Sequence, residues 1–168
     1  MKGTNGLVKI ALMLTVLIVS SLISIYVGGV PITLQVFAVA LAGYLLGYRG
    51  LVVVGAYLII GMIGVPIFSG FGAGVASLVG PSGGYLVGFV VLVSGCAICK
   101  DRPVWLVVVS SVVALVVFYA FGIAGYTLST GVDLGLGILA NIWYLPKDVV
   151  LMILAYVLAK RIENIIKE

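Results

Sequence analysis

Val104-Trp-Leu-Val-Val-Val-Ser-Ser-Val-Val-Ala-Leu-Val-Val-Phe-Tyr-Ala-Phe-Gly122 runs for nineteen residues without a charge. At about 1.5 Å per residue, a helix of that length spans roughly 28 Å, close to the hydrocarbon core of a bilayer. The rest of the chain is built alike: of 168 residues, 64% are hydrophobic and only 8% charged. An average soluble domain carries about 25% charged residues. A chain this short cannot hide so much apolar surface in a water-soluble core. Its solvent is lipid, and its length fits one membrane domain over 1–168 with no separate catalytic domain.

Working outward from that run, apolar segments are expected as helices at about 7–27, 32–47, 51–63, 83–99, 104–122 and 147–166. Gly28-Gly29 ends the first, Pro31 starts the second, and Gly64 and Pro66 stop the third. The third spans only about 20 Å, so it is short, steep or partly re-entrant. The last ends amphipathically in Lys160, Arg161, Glu163 and Lys167. No A-x-A cleavage site follows the first segment, so it reads as a helix and not as a removed signal peptide. The fold class expected is an all-α membrane protein with six transmembrane helices.

The basic residues orient it. With six spans, Lys2, Lys9, Arg49, Lys100, Arg102, Lys160, Arg161 and Lys167 share one side, eight of the nine in the chain, and Lys147 stands alone opposite. Positive residues mark the cytoplasmic side. Both termini are therefore expected in the cytoplasm, in a multi-pass protein of the cytoplasmic membrane bathed in lipid. The net charge of +4 is scattered singly at segment boundaries, which fits orientation signals and not a nucleic-acid surface.

Several chemistries are excluded. There is no histidine, which removes His-based zinc sites and Ser/His or Cys/His catalysis. Cys96 and Cys99 form a lone C-x-x-C and read as small apolar residues near a helix end. Gly70-Phe-Gly-Ala-Gly74 is not a phosphate loop, since no Gly-Lys-Ser/Thr follows it. No nucleophile–base pair or metal cluster emerges, so no enzyme activity and no cofactor is expected.

The candidate chemistry gathers on the face opposite the termini. The loop at 65–84 is long, glycine-rich and uncharged, so it is expected to pack as a lid or cavity lining. Pro31, Pro81 and Pro146 fall where first helical turns are expected, which aims three helix N-termini at that face. Ser82-Gly83-Gly84 leaves one of them bare, either as a seat for a carboxylate or as an ordinary helix start. Lys147 and Asp148 are a charged pair at the start of the last helix, either an interface pair or the mouth of a ligand cavity. Thr33 and Gln35 enter an apolar helix and need partners. Tyr85 offers an aromatic wall with a hydroxyl. Asn141, Trp143 and Tyr144 precede the last helix, the aromatics in the manner of an interface belt. Asp133 reads as solvated. On the first helix, Ala11 with Thr15 and Ser20 with Ser24 are small-xxx-small pairs, serving internal packing or a partner subunit.

Four stretches together resemble one family across nearly the whole chain: Val30-Pro-Ile-Thr-Leu-Gln35; Gly61-x-x-Gly-Val-Pro-Ile-Phe68 with the glycine-rich loop after it; Gly80-Pro-Ser-Gly-Gly-Tyr-Leu-Val-Gly-Phe89; and Leu145-Pro-Lys-Asp148. That family is the biotin-specific S component, BioY, of energy-coupling-factor (ECF) transporters. The resemblance implies a six-helix subunit that captures biotin near the outer face. Helices four to six and the outer loops would hold it, and the subunit would associate with a transmembrane coupling protein and two cytoplasmic ATPases. It implies substrate contacts among Asp148, Lys147, Tyr85, Ser82, Gly83, Gly84, Gly70, Phe68, Thr33, Gln35 and Asn141, with Asp148 on the ureido ring. Ala11 and Thr15 look like the pair used toward the coupling protein, with threonine in place of the commoner alanine. One position departs from the pattern: family members commonly carry a lysine one turn after the aspartate, where this chain has Leu151. The carboxylate would then fall to Lys147, to the N-terminus of the fourth helix, or to both. The alternatives are another small carboxylated vitamin in the same architecture, or a membrane assembly protein that transports nothing.

Overall fold

The computed structural model describes residues 2–26 and 31–167. The elements in chain order are α1 (Lys2–Leu22), β1 (Ser24–Tyr26), β2 (Pro31–Thr33), α2 (Gln35–Leu46), α3 (Gly50–Met62), α4 (Val75–Val79), α5 (Gly83–Ile98), α6 (Val104–Thr130), α7 (Leu134–Ile142) and α8 (Leu145–Lys167).

The first departure from expectation is a small hairpin. β1 pairs antiparallel with β2, with Ser24 opposite Thr33, Ile25 opposite Ile32 and Tyr26 opposite Pro31. The first helix therefore ends at Leu22 and the second begins at Gln35. Pro31 lies in a strand, where a residue without an N–H is tolerated at a sheet edge, and not in a helical first turn. The expected stop at Gly28-Gly29, and Val30 of the Val-Pro-Ile-Thr motif, fall outside the described residues.

Among the described residues, two helical stretches, Gln35–Met62 and Val104–Thr130, are long and apolar enough to cross a membrane; Leu134–Ile142 and Leu145–Ile165 pass the same test only together, as a pair bent by 49° that is either a broken span or a re-entrant loop. Gln35–Met62 is not one rod. A Cβ built on Gly50 would lie 2.9 Å from the Ala42 carbonyl oxygen. Residues eight apart in a straight helix are about 12 Å apart. The chain folds back at Gly47, whose φ of 61° lies in the left-handed region that glycine enters without strain. α2 and α3 are thus a helical hairpin joined by the tight turn Gly47–Arg49.

α5 and α6 approach backbone to backbone. A Cβ on Gly125 would sit 2.6 Å from the Gly84 Cα, and one on Gly88 would sit 3.2 Å from the Phe118 carbonyl oxygen. Small residues permit such approach where van der Waals packing, not water exclusion, holds helices together. α6 runs eight residues beyond the expected end at 122, with Gly122 against the Tyr85 ring and Gly125 against Gly84 as contact points. α6 ends at Gly131, a left-handed C-cap. The expected loop after it contains α7, and Asp133 is exposed and N-caps that helix by accepting from the Gly135 amide at 2.9 Å.

α2 lies at the centre, packed on α1, α3, α5 and α8. The core includes Leu17, Val39, Val53, Tyr57, Leu92 and Val93, all fully buried. The outside is also apolar: Val108, Val112 and Val116 on α6 and Val150 and Ile153 on α8 are each more than half exposed. Apolar surface that continuous belongs against lipid. The uncharged 65–84 segment splits its residues. Ile67 and Phe68 are buried, while Phe71, Val75 and Val79 are exposed.

Candidate functional site

A pocket opens where β2, α2, α5, α6 and α8 converge. Its lining includes Thr33, Gln35, Ser82, Tyr85, Leu86, Phe89, Phe118, Tyr119, Lys147 and Asp148. It encloses about 50 Å³, room for a few waters. Phe89 and Phe118 stack at 5.5 Å, Tyr85 sits edge-on to Tyr119 at 6.0 Å, and Tyr85 lies 5.2 Å from Phe118. The result is an apolar aromatic wall facing one charged pair.

That pair occupies the first turn of α8. Pro146 is the second residue of the helix, where a missing N–H costs no hydrogen bond. Asp148 is 4% exposed. Its Oδ2 accepts from the Tyr119 hydroxyl at 2.7 Å. Its Oδ1 lies 2.6 Å from Lys147 Nζ, yet accepts no aligned hydrogen bond among the described residues. The ion pair is set by distance, and the angles between these adjacent side chains leave Oδ1 with lone pairs for another donor. Although Lys147 starts about 100° around the helix from Asp148, its long side chain folds back, and Nζ also donates to the Thr33 carbonyl at 3.0 Å. A buried charge needs a partner and hydrogen bonds to be tolerated, and both are present.

The polar residues of the hairpin continue the network. Thr33 Oγ1 donates to Gln35 Oε1 at 2.9 Å, and Gln35 Nε2 donates to the Tyr57 hydroxyl at 2.8 Å. Across the pocket, the Tyr85 hydroxyl donates to Asn141 Oδ1 at 2.9 Å, and Asn141 Nδ2 donates to the Gly137 carbonyl at 2.8 Å.

Six of the expected substrate contacts share this pocket, Thr33, Gln35, Ser82, Tyr85, Lys147 and Asp148, and so do Pro31 and Tyr144, the latter expected in an interface belt. The others have different neighbours. Asn141 is fully buried behind Tyr85. Gly84 packs on Phe121 and Gly125 of α6, and Gly83 on the Leu78 backbone of α4, so these glycines serve close packing. Phe68 lies edge-on to Tyr57 at 5.3 Å. Gly70 makes a left-handed turn with φ 66° beside the pocket-lining Ser69. Phe89, Phe118 and Tyr119 were not anticipated. A tyrosine in mid-span was their one signal, since a hydroxyl buried in an apolar helix needs a partner. Ala11 and Thr15 are exposed on α1, with Thr15 Oγ1 donating to the Ala11 carbonyl at 3.0 Å, whereas Ser20 is buried. Cys96 and Cys99 are buried free thiols, and no cluster of three or more metal-ligating side chains occurs among the described residues.

The model of the BioY family matches residues 1–168. This chain belongs to the BioY family. It is 33% identical over 166 residues to the biotin transporter BioY of Thermotoga maritima, covering 95% of this chain and 96% of that one. It is 32% identical to the probable biotin transporter BioY of Pyrococcus horikoshii, covering 92% and 94%. In structure it resembles the S-component for biotin from an ECF-type ABC transporter, with a TM-score of 0.88 and 25% identity over 97% of this chain and 93% of that one. The BioY resemblance carried by the four sequence motifs therefore holds over the full length, and the chain is a membrane protein of S-component fold.

Proposed function

We propose that this chain captures biotin and serves as the S component of an ECF-type transporter. The observation that carries this reading is its match, over nearly the whole of both chains, to proteins named as biotin transporters. The pocket supplies suitable chemistry. Biotin has an apolar body, a ureido ring rich in N–H donors, and one carboxylate. Asp148 Oδ1 accepts a ureido N–H, Tyr119 holds the carboxylate of Asp148 in place, and Phe89 and Phe118 cover the apolar body. Lys147 is the cation that lines the pocket, because the position one turn after Asp148 is Leu151. Its Nζ, 2.6 Å from Asp148 Oδ1, reaches the ligand carboxylate by swinging its long side chain away from Asp148.

In this reading α1, α2, α3, α5, α6 and α8 are the six spans, and α4 and α7 cap the outer face. Eight of nine basic residues put both termini in the cytoplasm and the chain in the cytoplasmic membrane. The partners are a transmembrane coupling protein and two cytoplasmic ATPases. The exposed Ala11–Thr15 face of α1 meets the coupling protein. The chain is a transport subunit and not an enzyme. The absent lysine at Leu151 favours one second reading, a different small carboxylated vitamin in the same pocket. Calorimetric titration of the purified chain with biotin, thiamine and riboflavin separates the two. Saturable binding of biotin alone supports the first reading, and binding of another vitamin in its place defeats it.

A further inference from the structure

Behind the pocket runs a chain of buried hydrogen bonds that ends on a single carbonyl. The Ile67 carbonyl accepts from the Tyr57 hydroxyl at 3.2 Å and from Ser21 Oγ, whose single proton it shares with the Ile18 carbonyl at 2.7 Å. Tyr57 and Ser21 are both fully buried, and neither lines the pocket. They belong to α3 and α1. The carbonyl belongs to the segment that carries Ser69 to the pocket rim.

The direction of this chain is fixed by chemistry. A carbonyl can only accept, and the Tyr57 hydroxyl spends its one proton on the Ile67 carbonyl at 3.2 Å or on its other neighbour, Ser21 Oγ. It is then an acceptor toward Gln35, which must present Nε2. The amide oxygen of Gln35 consequently faces Thr33, and the Thr33 hydroxyl must donate to it. Thr33 in turn offers its own carbonyl to Lys147 at 3.0 Å. The orientation of the Gln35 amide inside the pocket is therefore dictated from outside the polar wall, through Tyr57.

We infer that Tyr57 and Ser21 are positioning residues for the pocket: they orient Gln35 and pin the 67–69 segment. This rests on the pocket being the ligand site proposed above. Without the Tyr57 hydroxyl, Gln35 can flip and the Ile67 carbonyl loses one of its two donors. The aromatic ring itself packs edge-on to Phe68, so Tyr57→Phe keeps the packing and removes only the hydroxyl.

The test uses the full chain in detergent and has two arms. The first is hydrogen exchange without ligand, at the amides of Phe68 and Gly74, which bond to the Gly72 and Gly61 carbonyls. Tyr57→Phe is expected to speed exchange there by at least fivefold while leaving α6 unchanged. The second is the biotin Kd of Tyr57→Phe, Gln35→Met and the double variant. Each single change is expected to weaken binding by about tenfold, the worth of an ordinary hydrogen bond, and the double variant by less than twofold more. A merely structural role would lower the unfolding midpoint and leave the Kd of the folded protein unchanged. Unaltered exchange at both amides overturns the inference, as does a wild-type Kd in Tyr57→Phe or losses that multiply in the double variant. Should the wild-type chain bind no biotin, the earlier reading fails, and the exchange arm alone decides this one.

Discussion

Replacing Asp148 by alanine removes the one pocket carboxylate, and the structure sets the size of the effect. Asp148 is buried, its Oδ2 is held by Tyr119 at 2.7 Å, and its Oδ1 carries no aligned donor. A hydrogen bond from a ligand N–H to a buried carboxylate contributes about 1.5–3 kcal/mol. At about 1.4 kcal/mol per factor of ten, Asp148→Ala should weaken biotin binding by roughly tenfold to a hundredfold. The fold should survive, because Lys147 keeps the Thr33 carbonyl at 3.0 Å and its side chain is 29% exposed, so it is not stranded as a buried charge. The loss of an acceptor for Tyr119 costs about 1–3 kcal/mol of stability, which lowers the unfolding midpoint without abolishing the folded state. Asp148→Asn keeps an acceptor oxygen but loses the charge, and is expected between wild type and alanine. Titration calorimetry on detergent-purified protein reads all three. An Asp148→Ala variant that elutes as folded protein and binds biotin within twofold of wild type would refute the assignment of this residue.

Three further outcomes follow from the same geometry. Lys147→Met should abolish the preference for biotin over its uncharged amide, measured by competition, while wild type favours the acid; equal discrimination in the variant would release Lys147 from the carboxylate. Gly84→Val forces side-chain atoms into Gly125 and the Phe121 carbonyl, an overpacking that costs about 1–3 kcal/mol; a lowered thermal midpoint checks it, and an unchanged one contradicts the α5–α6 contact. Ala11→Trp, on the exposed face of α1, should leave the biotin Kd unchanged and prevent co-purification with the coupling protein; retention of the complex would move the interface elsewhere.

Some of this was legible in the sequence for plain physical reasons. In a chain with so few charges, Lys147 and Asp148 stand out, because a charge in an apolar helix must have a partner. The Val104 run declared its helix by length alone. The β1–β2 hairpin is hidden in the sequence because Ile25 and Ile32 carry the same apolar signal in a strand as in a membrane helix. Gly28-Gly29 between two such runs is also a hairpin signal. The glycines of α5 and α6 read differently in sequence and in structure: Gly122 ends the apolar run in sequence, and Ser82-Gly83-Gly84 reads as a carboxylate seat or an ordinary helix start. Gly122 makes room for the Tyr85 ring, Gly83 meets the Leu78 backbone and Gly84 the α6 backbone, and only the packing of neighbouring helices reveals that. Phe89, Phe118 and Tyr119 were hidden because an aromatic residue inside an apolar run reads the same whether it faces lipid or a pocket. Lys147 was first an exception to the charge pattern. Its side chain reaches the Thr33 carbonyl and Asp148 together, which makes it part of the pocket wall.

The most direct test of the central claim is mass spectrometry of the small molecule that the chain carries when purified from cells supplied with biotin. Biotin is expected, released on denaturation at up to one molecule per chain and strongly reduced in Asp148→Ala. Release of a different vitamin, or equal biotin from wild type and Asp148→Ala, would contradict it.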